Sequence, residues 1–184
     1  MILTKNTNIL LLGLIILALL GFSYSNHFNN GFYFDDSHVI VSNGAIKDLG
    51  NWVSFFTDPT TFSSLPANQA YRPLVTLMDA FDYWMAGNEL NPVYFHIHIF
   101  FWYLVQCVLL FFLFKNIIYH ATQHKWSDYI ALFAVGWYAL HAANAETINY
   151  VSARSDSFST LCIVATLALY QNRKSRKYFC YLIP

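Results

Sequence analysis

"VYFHIHIFFWYLVQCVLLFFLFKNIIY", Val93 to Tyr119, decides the fold class. The run has 27 residues, no Asp, Glu or Arg, and one Lys at Lys115. A helix needs about 20 predominantly apolar residues to cross a bilayer core. The run is apolar on every face a helix would have, so its natural surroundings are lipid. Three further runs have the same character: "NILLLGLIILALLGFSY" at Asn8–Tyr24, "YIALFAVGWYALH" at Tyr129–His141 and "SFSTLCIVATLALY" at Ser157–Tyr170. Another begins at "YFCYLIP". The third run needs flanking residues to cross, and the fourth has a polar lead-in from about Glu146.

Composition agrees. Of the 184 residues, 57% are hydrophobic and 11% charged, against about 25% charged in a soluble domain. Net charge is zero, so the chain carries no basic footprint for nucleic acid. Cys107, Cys162 and Cys180 all fall in apolar runs, which predicts buried thiols and no disulfide-stapled ectodomain.

The sequence therefore predicts an all-α, multi-pass membrane protein with about four transmembrane helices. Residues 1–25 hold the first span and 26–92 a long outer loop. Residues 93–172 hold spans two to four, with a polar outer segment near 142–156. Residues 173–184 hold a basic cytoplasmic stretch and the start of a fifth span. Lys and Arg set the orientation: with the N-terminus inside, seven of the ten fall in inner segments, "NRKSRK" included, and only Lys47, Arg72 and Arg154 lie outside. Both termini are then cytoplasmic. A cleaved leader ending at "SYS", Ser23–Ser25, would leave the next segment outside all the same.

The outer loop carries structure of its own. "DLGNWVSFF" places Leu49, Trp52, Val53 and Phe56 on one helix face, and "RPLVTLMDAFDYWMAG" does so with Leu74, Leu77, Met78, Phe81, Trp84 and Met85. Pro73 suits a first helical turn and Gly87 a C-terminal cap. Two interfacial amphipathic helices are expected, with Asp79 and Asp82 on the water face.

Asp35 and Asp36, in "GFYFDDSHVIVSNGAI", admit two readings. Adjacent carboxylates disfavour double ionisation, which can poise one as a base or metal ligand. Asp-Asp-Ser is equally good turn and cap chemistry. A second polar group, "HAANAETINYVSARSDSF" at His141–Phe158, drawn as one helix aligns Glu146, Asn149, Tyr150 and Ser157, with Arg154 and Asp156 at the flanks. Such a stripe beside a span suggests a water-filled cavity or a bound polar group, unless Glu146 and Arg154 pair internally. His96 and His98 lie about 200° apart on a helix and cannot clamp one ion together, so no metal centre is expected from them.

Four segments together resemble a known family: "FYFDD", "YRPL" at Tyr71–Leu74, "NPVYFH" at Asn91–His96, and "LFAVGWYALHAANAETINYVSARSD" at Leu132–Asp156. In order and spacing they are similar to the transmembrane O-mannosyltransferases with TPR repeats and their bacterial relatives, members of the C-type superfamily of polytopic glycosyltransferases. The resemblance covers roughly residues 31–170. It implies transfer of a sugar from a polyprenyl-phosphate donor on the outer face of the membrane, here a bacterial cytoplasmic membrane. It matches the family's acidic motif to Asp35 and Asp36 as catalytic residues, and its cationic positions to Arg72 and Arg154 as holders of the donor phosphate. Tyr71, His96, Glu146 and Asp156 fall in supporting positions. A divalent cation at Asp35 and Asp36 can share the work, though no residue requires one.

The chain departs from the family at Ala142, where Pro is usual after His, and at Ile99 and Tyr103, where Asn and His are common. The family also has further spans beyond the equivalent of Pro184, so the resemblance implies an N-terminal portion. Two other readings stand beside it: a short inactive paralogue serving as a structural or accessory subunit of a membrane complex, and a small transporter-like module using the Glu146–Arg154 stripe.

Overall fold

The computed structural model describes residues 5–171; "NRKSRK", "YFCYLIP" and Cys180 lie outside them. Every regular element among the described residues is helical. The helices are α1 (Lys5–Ser23), α2 (Trp52–Phe55), α3 (Pro73–Met85), α4 (Pro92–Thr122), α5 (Ser127–Ala139), α6 (Asn144–Asn149) and α7 (Arg154–Gln171). The stretches 6–29 and 92–122 are long and apolar enough to cross a membrane. α5 is 13 residues long, about 20 Å against a core of about 30 Å. The described residues form two compact units, one of residues 5–25, 102–144 and 158–171, the other of 26–101 and 145–157.

The first unit is built from α1, α5 and the stretches of α4 and α7 it contains. α1 packs on α5, where buried Gly136 lets Ile16 approach so closely that an added Cβ would stand 3.1 Å from its Cδ1. Two interior polar side chains are satisfied within it: Tyr103 donates to the Ala139 carbonyl at 2.9 Å and Gln106 to the Tyr138 hydroxyl at 2.6 Å. Its surface is apolar, with Leu10, Phe22, Phe133 and Trp137 between 64% and 80% exposed. The thiol expectation holds for Cys107, which is buried, and fails for Cys162, which is exposed on α7.

The second unit is mostly short turns wrapped on α3. Ile40, Ile46, Phe55, Ala80, Phe95 and Val151 form its apolar core. Asn43, only 3% exposed, ties two loop segments together. Its amide donates to the carbonyls of Val39, Thr61 and Phe62, and its oxygen accepts from Ala45. α3 starts on Pro73 and ends before Gly87, whose φ of +76° closes the helix. The expected helix at "DLGNWVSFF" is only a 3₁₀ turn at Leu49–Asn51 followed by the single turn of α2.

Two further expectations are corrected. Asp79 and Asp82 are not on a water face; each is 2% exposed, and α3 turns Val75, Thr76, Asp79, Ala80 and Asp82 inward. The polar stripe is not one helix either. α6 ends at Asn149, Tyr150 is extended (φ −106°, ψ 115°), a 3₁₀ turn covers Val151–Ala153, and α7 begins at Arg154.

Candidate functional site

That break at Tyr150 organises the second unit. A new helical turn leaves its first backbone N–H groups without partners, and Asp36 supplies one. Its Oδ1 accepts from Ser152 N at 2.8 Å and Ser152 Oγ at 2.6 Å, while Oδ2 accepts from Tyr33 N at 3.0 Å. The side chain is completely buried. Asp36 thus serves as a cap delivered from a distant part of the chain, and its charge suits the positive end of the following helix.

Asp35 is different. Its side chain is 59% exposed, with Oδ1 3.3 Å from His38 Nε2. Its backbone N–H donates to the Tyr150 hydroxyl at 3.0 Å. Burial, the largest influence, raises the Tyr150 pKa, so that group stays a phenol. His38 is held from behind by Ser63 Oγ, 2.9 Å from Nδ1, while Asn68 Nδ2 lies 3.1 Å from Nε2, the nitrogen that also faces Asp35. Ser63 is 1% exposed, so this Asp–His–Ser series offers no reachable nucleophilic hydroxyl; Ser63 positions the ring. Phe34, just before Asp35, has φ +48° and is 86% exposed, a strained setting for a bulky residue. Its ring meets Tyr150 edge-on at 6.1 Å.

The segment reaches two more groups. Arg154 is 3% exposed, with Nη2 2.6 Å from Asp82 Oδ2 and Nη1 2.9 Å from Asp79 Oδ1. The Asp82 contact is a directed hydrogen bond. The Asp79 contact is short but poorly aligned, so it acts by charge alone. The guanidinium also lies 5.6 Å from the Phe95 ring centroid. Asp82 Oδ1 pairs in addition with His98 Nδ1 at 2.5 Å. Burial raises the Asp79 pKa to about 7; Arg154 opposes that shift, and Asp82 and Asp36 add to it. For Arg154 burial works downward, but Asp82 and Asp79 outweigh it and the net shift is upward.

Arg72 is exposed; its Nη1 donates to Ser155 Oγ at 3.0 Å and its guanidinium lies 5.0 Å from the Phe62 ring centroid. Tyr71 is 61% exposed and donates to the Phe56 carbonyl at 2.9 Å. His96 is fully buried, its ring centroid 4.5 Å from that of His27. His27 in turn donates through Nε2 to the His96 carbonyl at 2.9 Å, with Nδ1 2.8 Å from Asn149 Oδ1. Glu146 and Asp156 are exposed on α6 and α7. Glu146 does not pair with Arg154, whose partners are Asp79 and Asp82.

Residues 150–155 thus tie the four sequence motifs together: Tyr150 to Asp35, Ser152 to Asp36, Arg154 to Phe95 and α3, and Ser155 to Arg72. What remains open to solvent is a carboxylate with a histidine beside it and a separate guanidinium. A divalent ion shared by Asp35 and Asp36 would have to displace the Ser152 or Tyr33 bonds. No group of three or more His, Cys, Asp or Glu among the described residues is arranged to hold a metal.

Sequence reasoning missed Ser152, Ser155, His38, Asp79 and Asp82. The one local signal was Asp79 and Asp82 at i and i+3, opposite an apolar stripe close to a span, where a carboxylate pair requires a cation. No family model, curated protein or solved structure matches the chain.

Proposed function

We propose that this chain is the N-terminal membrane portion of a polyprenyl-phosphate-sugar-dependent glycosyltransferase, O-mannosyltransferase-like, with four spans and both termini cytoplasmic. The observation that carries the reading is the convergence of the other three motifs on residues 150–155 of the fourth, which leaves Asp35 and Arg72 exposed while Asp36 and Arg154 are consumed. In this reading Asp35 takes the proton of an acceptor hydroxyl as its oxygen bonds to the anomeric carbon. The bond from that carbon to the phosphate oxygen breaks, and the departing polyprenyl phosphate keeps the electron pair. Arg72 meets the charge on that phosphate. Arg154 already faces two carboxylates, so its part is to hold the scaffold.

A second reading, an inactive accessory subunit of a membrane complex, draws on the same consumed pair: half of the four candidate site residues act structurally. Photo-crosslinking separates the two. A photoreactive polyprenyl-phosphate mannose is presented to the protein in its native membrane, with unlabelled polyprenyl phosphate as competitor. The transferase reading expects saturable, competed labelling that drops sharply in Arg72→Ala. Labelling that no competitor removes, or that Arg72→Ala leaves intact, favours the accessory subunit.

A further inference from the structure

Phe34 stands where a large side chain is least expected. Its backbone lies in the left-handed region, φ +48°, and the residue is 86% exposed. That conformation is imposed from both sides. Tyr33 N–H donates to Asp36 Oδ2 at 3.0 Å, Asp35 N–H to the Tyr150 hydroxyl at 3.0 Å, and Ser37 N–H to the Phe34 carbonyl at 3.1 Å. None of these bonds uses the Phe34 ring, and glycine adopts a positive φ without steric cost. A bulky residue there is strained, and a ring so exposed recovers little by packing within the fold. It meets Tyr150 edge-on with centroids 6.1 Å apart, and at that exposure at least one ring face is open.

We infer that Phe34 is a sugar-stacking residue, whose ring receives the C–H face of the donor's hexose beside the carboxylate of Asp35. Two observations place the ring at the sugar rather than elsewhere on the donor. Phe34 is the residue next to Asp35, with Cα atoms about 3.8 Å apart, so its ring cannot lie far from the proposed base. Both residues are also tied to Tyr150, Asp35 through its backbone and Phe34 through its ring. Tyr150 thereby fixes an aromatic surface and an open carboxylate relative to each other. A pyranose suits that pair. Its hydroxyls donate to a carboxylate, and its C–H groups are drawn to the negative face of an aromatic ring. The lipid phosphate offers neither. The inference rests on the transferase reading, and it adds recognition of the sugar to the phosphate contact assigned to Arg72.

The test separates sugar from lipid. Labelling by the photoreactive polyprenyl-phosphate mannose, held far below saturation in the native membrane, is competed with polyprenyl-phosphate mannose and, separately, with polyprenyl phosphate. Phe34→Gly removes the ring and relieves the backbone; Phe34→Trp keeps an aromatic face. Phe34→Asn, also at ease at positive φ, stands in if the glycine variant has a lowered unfolding midpoint. Phe34→Gly should raise the half-competing concentration of polyprenyl-phosphate mannose about fivefold. It should leave that of polyprenyl phosphate at the parent value, and Phe34→Trp should match the parent for both. Competed, Arg72-dependent labelling that Phe34→Gly leaves unchanged would overturn the inference alone and assign the ring to the membrane surface. An equal loss for both competitors would overturn it too, since the ring would then serve the lipid or the fold. A parent that shows no competed labelling removes the transferase reading, and the inference falls with it.

Discussion

α1 and α3 are both rich in exposed apolar side chains, but for different reasons. α1 is apolar all round, and its exposed Leu10, Leu14 and Phe22 need only a lipid environment. α3 has distinct faces and presents the apolar one outward, with Asp79 and Asp82 inside. A single apolar helix can be placed by the bilayer alone. An inverted amphipathic helix can be placed only if a cation arrives to meet its acids, and here Arg154 comes from 72 residues later in the chain. The first is a property of a segment; the second is a property of the whole fold.

The largest expected effect is therefore at that cation. Arg154→Met leaves two carboxylates buried without a partner, and breaking such a pair costs about 3–5 kcal/mol. The unfolding midpoint in detergent should collapse or the folded yield be lost. Arg154→Lys should rescue only in part, because an ammonium cannot fork to two acids in the same way. Full stability of Arg154→Met would mean that α3 is placed by its apolar face alone, and the contrast with α1 would fail.

Asp79 sharpens the point through pH. Its folded pKa lies near 7, above the ordinary 3.8. Between those values the folded state binds a proton that the unfolded state releases, so stability falls as pH rises from about 4 to about 7. Asp79→Asn should remove that slope, and its advantage over the parent should grow across the window. Thermal melts at several pH values check this; an unchanged slope assigns the proton elsewhere.

Smaller effects belong to the loop. Phe34 at φ +48° should tolerate Gly with little change. Val should cost about 1–2 kcal/mol more, since β-branching is worst at positive φ. Equal melts for Phe34→Gly and Phe34→Val would show that the strain is not retained.

The long apolar helices α1 and α4 were legible because uniform composition needs no knowledge of neighbours. The start and end of α3 were legible too, since Pro73 and Gly87 act locally. The facing of α3 was not, because local periodicity finds the apolar stripe without saying which side is solvent. The break at Tyr150 escaped for the same reason. Its cause is Asp36, 116 residues away, and no propensity within "AETINYVSARSD" demands it. Of the two readings of Asp35 and Asp36, capping describes Asp36, and the open carboxylate is Asp35. A one-residue difference of that kind is set by tertiary contacts.

That division is the centre of the account, and one comparison tests it without need of substrate: unfolding midpoints of Asp35→Asn and Asp36→Asn in the same nanodisc preparation. Asp36→Asn sets an amide N–H₂ against the donors that Asp36 now accepts from, at about 1–3 kcal/mol, and should unfold several degrees lower. Asp35→Asn, at an exposed side chain, should stay within about 0.5 kcal/mol of the parent. Equal midpoints, or a larger fall for Asp35→Asn, would contradict the account.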